Sequence, residues 1–207
     1  MKVLLINGSP NEKGCTWRAL KEVADTLEKE GVESEILHIG KKPIGGCIGC
    51  GGCSKNNGRC VFNNDPVNEV LDKMETADGL IVGSPVYFAS PNGALISLMD
   101  RIFMAGGNFR FKPAACVTSA RRGGTTATLE VMNKYFLMSE MPIVSANYCN
   151  MVHGHEAAEV EKDEEGLQIM RALGRNMAFM LKCLKAGADA GVAKPEKEAK
   201  IKTSYIR

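Results

Sequence analysis

Four cysteines in one short segment could together bind a metal ion or an iron–sulfur cluster. Cys47, Cys50, Cys53 and Cys60 form a C-x2-C-x2-C run that a fourth cysteine closes. Glycines between them let the backbone curl, so that several thiolates can face one centre. Because iron in clusters prefers thiolate ligands, the run indicates a cluster and a protein that moves electrons.

Two other interpretations of the cysteines remain open. Four thiolates also satisfy zinc, although structural zinc sites usually use two separated pairs rather than three cysteines at two-residue gaps. A disulfide, or a loop that binds no metal, is the third interpretation. The crowded spacing favours the cluster over zinc.

A second candidate site follows the first apolar run, Lys2–Asn7. Ser9 and Thr16 provide hydroxyls just before a helix, whose free amides suit a phosphate. The loop has neither the three spaced glycines of a dinucleotide site nor a Walker A sequence. An ordinary helix cap would use the same residue types, so the loop alone leaves both interpretations open.

Two further loops extend this candidate site. The loop 84–92 contains Tyr87, Phe88 and two prolines, and the loop 119–125 contains Arg121 and Arg122. Ligands of open α/β sheets bind outside the carboxyl ends of the strands. Three such loops after three strands predict a ligand that has a phosphate and a flat ring.

Short apolar runs alternate with helical periods along the chain, which predicts a doubly wound α/β fold with a parallel sheet. The cysteine segment 45–62 is an insertion in a domain of residues 1–187, and 188–207 form a tail. The predicted strands are Lys2–Asn7, Ser34–Ile39, Gly79–Gly83, Ala114–Ser119 and Ile143–Ala146, and the predicted helices are Trp17–Glu30, Pro66–Thr76, Pro91–Met104, Thr125–Met138 and Glu165–Lys185.

Composition excludes several classes of protein. The chain has 207 residues and a net charge of +2, which gives no case for nucleic acid or a membrane surface. It begins with a strand-length apolar run and has no segment of the length that a membrane helix needs, so we expect a cytoplasmic protein. Disulfides are rare there. We therefore expect Cys116, Cys149 and Cys183, which lie in apolar segments, to be buried thiols.

Three stretches resemble the NADPH-dependent FMN reductase branch of the flavodoxin-like superfamily. They are NGSPNEKGCT, the segment Ala77–Arg101 with its Ser-Pro-Val-Tyr and Asp-Arg pairs, and SARRGG. Within that branch the chain looks most like the iron–sulfur flavoproteins, which bind FMN beside a [4Fe–4S] cluster. The resemblance implies a flavodoxin-like three-layer sandwich with a five-stranded parallel sheet in the order 2-1-3-4-5.

The resemblance also implies the site residues, although no side chain is assigned as catalytic. Cys15 departs from the family pattern, because many relatives have asparagine there. The phosphate of FMN would contact Ser9, Cys15 and Thr16; its ring would lie between Pro85, Val86, Tyr87 and Phe88 on one side and Ser119, Ala120, Gly123 and Gly124 on the other; the cluster ligands would be Cys47, Cys50, Cys53 and Cys60.

The function implied is electron transfer from a small donor such as ferredoxin, through the cluster to FMN and on to a small-molecule acceptor. The alternative is an NAD(P)H-dependent reductase of FMN or quinones that has no cluster. A third is a flavin-binding redox sensor. Arg121 or Arg122 would stabilise negative charge on the reduced ring, and we expect a homodimer or homotetramer.

Overall fold

Six strands form a single sheet in the computed structural model, which describes residues 1–206. They are β1 (Lys2–Asn7), β2 (Glu33–His38), β3 (Gly79–Tyr87), β4 (Ser90–Pro91), β5 (Ala114–Ala120) and β6 (Met151–His153). Five are parallel and lie in the order β2-β1-β3-β5-β6, while β4 pairs antiparallel with β3. Counted over the parallel strands alone, this is the predicted order 2-1-3-4-5, so the predicted fold class is confirmed.

Helices cover both faces of the sheet. In β1, Leu4 and Ile6 join one core while Val3 and Leu5 join the other, because side chains alternate along a strand. Helices α2 to α4 pack on the Leu4 side, and α1, α5 and α6 pack on the opposite side. The helices are α1 (Cys15–Lys29), α2 (Val67–Thr76), α3 (Gly93–Ala105), α4 (Thr125–Leu137), α5 (Ala157–Val160) and α6 (Glu164–Asp189).

The fifth parallel strand lies later in the chain than predicted. The predicted strand Ile143–Ala146 makes one isolated bridge, between Ile143 and Ala114, and the chain then leaves the sheet edge. Asn150 explains the delay, because its side chain donates to the Cys116 carbonyl oxygen at 3.0 Å and so takes the place of a backbone donor. Regular pairing with β5 begins only at Met151.

The third strand is longer than predicted. β3 continues past Gly83 to Tyr87 and turns back into β4, with Val86 opposite Pro91. The predicted loop after this strand is therefore largely a hairpin. Its return strand delays the next helix, which starts at Gly93 rather than Pro91 because Asn92 caps it by accepting from the Ala94 amide at 2.8 Å.

Of the three cysteines that were expected to be buried, one is buried and two are exposed. Cys116 lies in β5 and is buried, as predicted, and burial raises the pKa of its thiol well above the usual value. Cys149 and Cys183 are exposed, so the prediction for them was wrong. Cys149 lies where the chain leaves the sheet edge, and Cys183 falls on the outer face of α6, because the buried residues of that helix include Ala178 and Leu181.

The cysteine segment lies between β2 and α2 and contains a single 3₁₀ turn, Gly52–Lys55. At the other end of the chain, α6 ends at Asp189 and residues 190–206 form neither helix nor strand. The domain and tail boundaries stay a prediction, and the last residue of the predicted tail, 207, lies outside the described residues. Over residues 1–206, no helix combines the length and apolar character that crossing a membrane requires.

Candidate functional site

A cleft of about 840 Å³ opens at the carboxyl ends of β1, β3, β5 and the loop after β6. This is the edge where the strand-end loops were expected to meet. The volume is within the range of about 300–1,000 Å³ that is usual for small-molecule and cofactor sites. Of the predicted FMN residues, those that line the cleft are Ser9, Cys15, Thr16, Pro85, Val86, Tyr87, Ser119 and Ala120.

The loop after β1 is held by its own side chains and leaves the start of α1 uncapped. Asn7 Oδ1 accepts from the Ser9 amide at 3.1 Å, and Ser9 Oγ accepts from the Asn11 amide at 3.1 Å. The N-cap residue of α1 is Gly14, and no side chain caps the helix there. The first amides of α1 therefore face the cleft without a side-chain acceptor, which is the arrangement that suits an anion.

Thr16 and Cys15 join α1 to the neighbouring strand ends. The Thr16 and Ser119 hydroxyls lie 2.8 Å apart in a hydrogen bond, so the loops after β1 and β5 are held together. Cys15 Sγ donates to the Gly154 carbonyl oxygen at 3.5 Å. Burial raises the pKa of the Cys15 thiol, although its own backbone hydrogen bond opposes the shift, and the side chain remains a neutral donor.

The β3–β4 hairpin borders the cleft but turns its tip away. Phe88 and Ala89 have φ values of 50° and 57°, and the Phe88 side chain is fully exposed. Gly124 lies directly beneath this tip at φ 95°, where a Cβ would come within 2.7 Å of Ala89 Cα. Phe88, Gly123 and Gly124 thus do not line the cleft, unlike the other predicted residues. Gly124 is the residue that lets the hairpin approach α4.

Several cleft residues were missed by the sequence analysis. His38 was not among the predicted site residues, but it lines the cleft and its Nε2 lies 2.8 Å from the Ser9 carbonyl oxygen. Its position at the end of β2 was the available signal. His155 also lines the cleft, although the sequence places it in a loop after the last strand, where most histidines are solvated. Lys13, Lys41 and Glu156 also line the cleft and were not predicted, whereas Arg121, which lines it too, was.

The four predicted metal-binding cysteines face one small pocket. Its wall also includes Ile48, Phe62, Arg101 and Met104. Gly51 adopts a left-handed φ of 67° at the start of the 3₁₀ turn, which reverses the chain between the second and third cysteines. Arg101 Nη2 and Nε donate to Cys60 Sγ at 3.2 and 3.3 Å.

Within residues 1–206 no three Cys, His, Asp or Glu side chains are already close enough to hold one metal ion. The donor set nevertheless has the chemistry that a cluster requires. All four candidate ligands are free thiols on one pocket, and none is in a disulfide. Thiolate sulfur is the ligand that iron–sulfur clusters use.

Comparison with known proteins places this geometry in a family. Residues 1–156 match the family described as NADPH-dependent FMN reductase. An iron–sulfur flavoprotein of Methanocaldococcus jannaschii is 36% identical over 194 residues, which cover 89% of this chain and 100% of that protein. An iron–sulfur flavoprotein of Archaeoglobus fulgidus is 33% identical over 200 residues, which cover 89% and 98%.

Solved structures share the fold at low identity. RosB with a bound 8-demethyl-8-formylriboflavin-5'-phosphate intermediate superimposes with a TM-score of 0.70 at 15% identity, covering 100% of this chain and 92% of RosB. A WrbA-like flavodoxin from Agrobacterium tumefaciens gives 0.61 at 15% identity, covering 88% and 97%. These likenesses confirm the flavodoxin-like architecture.

Proposed function

Because this chain belongs to the NADPH-dependent FMN reductase family and, within it, to the iron–sulfur flavoproteins, we propose that it is an electron-transfer protein. It would take electrons from a small donor such as ferredoxin and pass them through a [4Fe–4S] cluster to FMN, and from FMN to a small-molecule acceptor. That it is an FMN-binding redox protein and a flavin-dependent oxidoreductase follows from the family. The observation that carries the finer proposal is the single pocket lined by Cys47, Cys50, Cys53 and Cys60.

The strand-end cleft supports the assignment of the FMN residues. The phosphate would be held by Ser9, Cys15 and Thr16 together with the uncapped amides of α1. Pro85 to Tyr87 would border the ring on one side, and Ser119 and Ala120 on the other. Gly124 acts indirectly, because it sets how closely the hairpin approaches α4. The bound flavin supplies the redox chemistry, exchanging electrons in pairs or singly.

The proposed role of the cleft side chains is to orient the bound FMN and to shield it from solvent, not to exchange protons with it. The Thr16–Ser119 hydrogen bond keeps two strand-end loops at a fixed separation, so the phosphate end and the ring end of the site are mutually oriented. Arg121 lines the cleft and would stabilise negative charge on a reduced ring. No general acid or base is assigned.

The cysteine pocket and the cleft are close along the chain. Cys47 comes six positions after Lys41, which lines the cleft, so the Cα atoms of the two lie within about 22 Å at full extension. The four thiolates would hold the cluster, which exchanges single electrons. We also propose that the protein is a cytoplasmic homodimer or homotetramer.

Anaerobic purification followed by assays for iron, sulfide and FMN, with electron paramagnetic resonance, tests the proposal. Iron and sulfide in equal amounts, beside one FMN per chain, support it. Cys60→Ser should lose iron and keep FMN, whereas Cys149→Ser, which removes an exposed thiol outside the pocket, should keep both.

The second candidate function is a reductase that has no cluster and oxidises NADPH directly, and the family description favours it. A yellow, iron-free protein that turns over NADPH after anaerobic purification would establish that function instead. Tight FMN binding without turnover by any donor would indicate the redox sensor. Failure to bind FMN at all would overturn every form of the proposal.

A further inference from the structure

Arg101 is a buried cation in α3 that the proposed electron path does not use. Its side chain is 2% exposed and forms an ion pair with Asp65, whose side chain is 6% exposed. The guanidinium also donates to the carbonyl oxygens of Gly45 and Phe62, at 3.3 and 3.2 Å. One residue of a helix therefore contacts both the beginning and the end of the cysteine segment.

The same guanidinium directs two of its N–H groups at one sulfur. Nε and Nη2 donate to Cys60 Sγ at 3.3 and 3.2 Å, and the guanidinium carbon lies 5.5 Å from the centroid of the Phe62 ring. If Arg101 only held the two ends of the cysteine segment together, its contacts to the two carbonyl oxygens and to Asp65 would be enough. The forked pair of donors on the thiol needs a different explanation.

Cys60 is also the best-anchored cysteine of the four. Its amide donates to Asn68 Oδ1 at 2.9 Å, and its carbonyl oxygen accepts from Asn68 Nδ2 at 2.9 Å. Asn68 belongs to α2, so two helices fix the backbone and the sulfur of Cys60 independently. By contrast, Cys47 and Cys50 are exposed.

We propose that Arg101 is a positioning residue for the cluster: it presents Cys60 as a preformed ligand, and its N–H groups raise the reduction potential of the cluster bound there. The inference rests on the cluster of the proposed function. Hydrogen bonds to ligand sulfurs and the net charge around a cluster set its potential. A planar guanidinium supplies both in a fixed orientation, which a lysine ammonium does not. Asp65 opposes the effect, because its carboxylate partly neutralises Arg101.

The test is a redox titration of the reconstituted protein, monitored by electron paramagnetic resonance. Each step adds one electron from dithionite to the cluster. Arg101→Gln removes the charge and the fork, Arg101→Lys keeps the charge alone, and Asp65→Asn leaves Arg101 without its counter-charge. Arg110→Gln is the matched control, because Arg110 pairs with Glu140 at the surface, where Nε lies 2.6 Å from the Glu140 carboxylate.

The variants should shift the potential in opposite directions. Arg101→Gln should disfavour the reduced cluster by about tenfold, which is about 59 mV for a one-electron couple. Arg101→Lys should recover part of that shift, Asp65→Asn should raise the potential, and Arg110→Gln should leave it unchanged. A general loss of packing would not shift the reduction potential in opposite directions for variants of Arg101 and of Asp65.

Two negative results are distinguishable. If the wild-type protein takes up no iron and sulfide, the cluster of the proposed function is wrong and the inference fails with it. If the wild-type protein holds the cluster and all variants have its potential, only the role of Arg101 is wrong. Should Arg101→Gln not fold, as FMN binding would reveal, the opposite shifts of Arg101→Lys and Asp65→Asn still decide the matter.

Discussion

At the scale of single residues, the cleft depends on contacts that residue type alone does not reveal. Ser9 and Thr16 could be proposed from the sequence because hydroxyls just before a helix suit a phosphate, and the family resemblance implied Ser119 as a neighbour of the ring. Gly124 was proposed as a ring neighbour, whereas the structure gives it a steric role beneath the hairpin tip. That difference arises because its neighbour Ala89 is thirty-five residues away in sequence.

Gly124→Ala should therefore weaken FMN binding by at least about tenfold. The new Cβ would lie 2.7 Å from Ala89 Cα, a backbone atom that cannot rotate away, and φ 95° costs a non-glycine residue about 1–3 kcal/mol. Quenching of flavin fluorescence on titration measures the affinity. Gly123→Ala is the control, because a Cβ there meets no atom within 4 Å. Equal affinities for the two variants would contradict the role of Gly124.

At the scale of helices and strands, local pattern predicted which elements exist better than where they end. β1 and β5 were placed within one residue because their apolar runs are covered on both faces. The last strand was misplaced because the side chain of Asn150, rather than a backbone amide, donates to the Cys116 carbonyl oxygen at the edge of β5. The extension of β3 into a hairpin depends on pairing with β4, which neither segment specifies alone. The strand order was implied by the family resemblance, since right-handed crossovers alone only reduce the number of possible topologies.

Glu35 of β2 joins three elements, and its removal should reveal a pH-dependent contribution to stability. It lies 2.7 Å from Lys2 Nζ in β1 and 2.5 Å from Lys73 Nζ in α2. Hydrogen bonds from Lys2 and Lys73 lower the pKa of the Glu35 carboxyl. The stabilisation is thus present above the ordinary glutamate value of about 4.3 and is lost as the pH falls through the lower folded value.

Glu35→Gln should cost at most about 1 kcal/mol at pH 7, because the pair is partly exposed. The difference from the wild type should shrink as the pH falls below about 4. Urea unfolding at several pH values measures it. If the difference in the free energy of unfolding did not depend on pH, packing around Glu35, and not its ion pairs, would be the source of the stabilisation.

At the scale of the whole molecule, charge is distributed unevenly. The chain as a whole is nearly neutral, but residues 40–64 contain Lys41, Lys42, Lys55 and Arg59 and no acidic residue. Exposed apolar side chains, among them Ile48 and Met104, lie at the same pocket. Arg59 pairs with Asp72, whereas Lys55, two residues after Cys53, forms no ion pair among the described residues. We propose that this basic segment and the exposed apolar side chains dock a small acidic electron carrier.

Lys55→Glu should slow reduction by an acidic ferredoxin several-fold at low ionic strength. The effect should shrink near 0.15 M salt, where the Debye length falls to about 8 Å. Stopped-flow absorbance measures the rate. Lys29→Glu makes the same charge change at an exposed position on α1, across the sheet, and should leave the rate unchanged. Equal slowing by both variants would exclude docking at the cysteine segment.

Helix α3 begins directly after the hairpin that borders the cleft and carries Arg101 two turns further along. The helix rises about 12 Å over the eight steps from Gly93 to Arg101, a length that backbone hydrogen bonding makes almost incompressible. The helix thus holds the cleft and the cysteine pocket at a fixed separation. Loop substitutions can alter either end, but the spacing between them can change only by inserting or deleting residues in the helix, which would also rotate one site relative to the other.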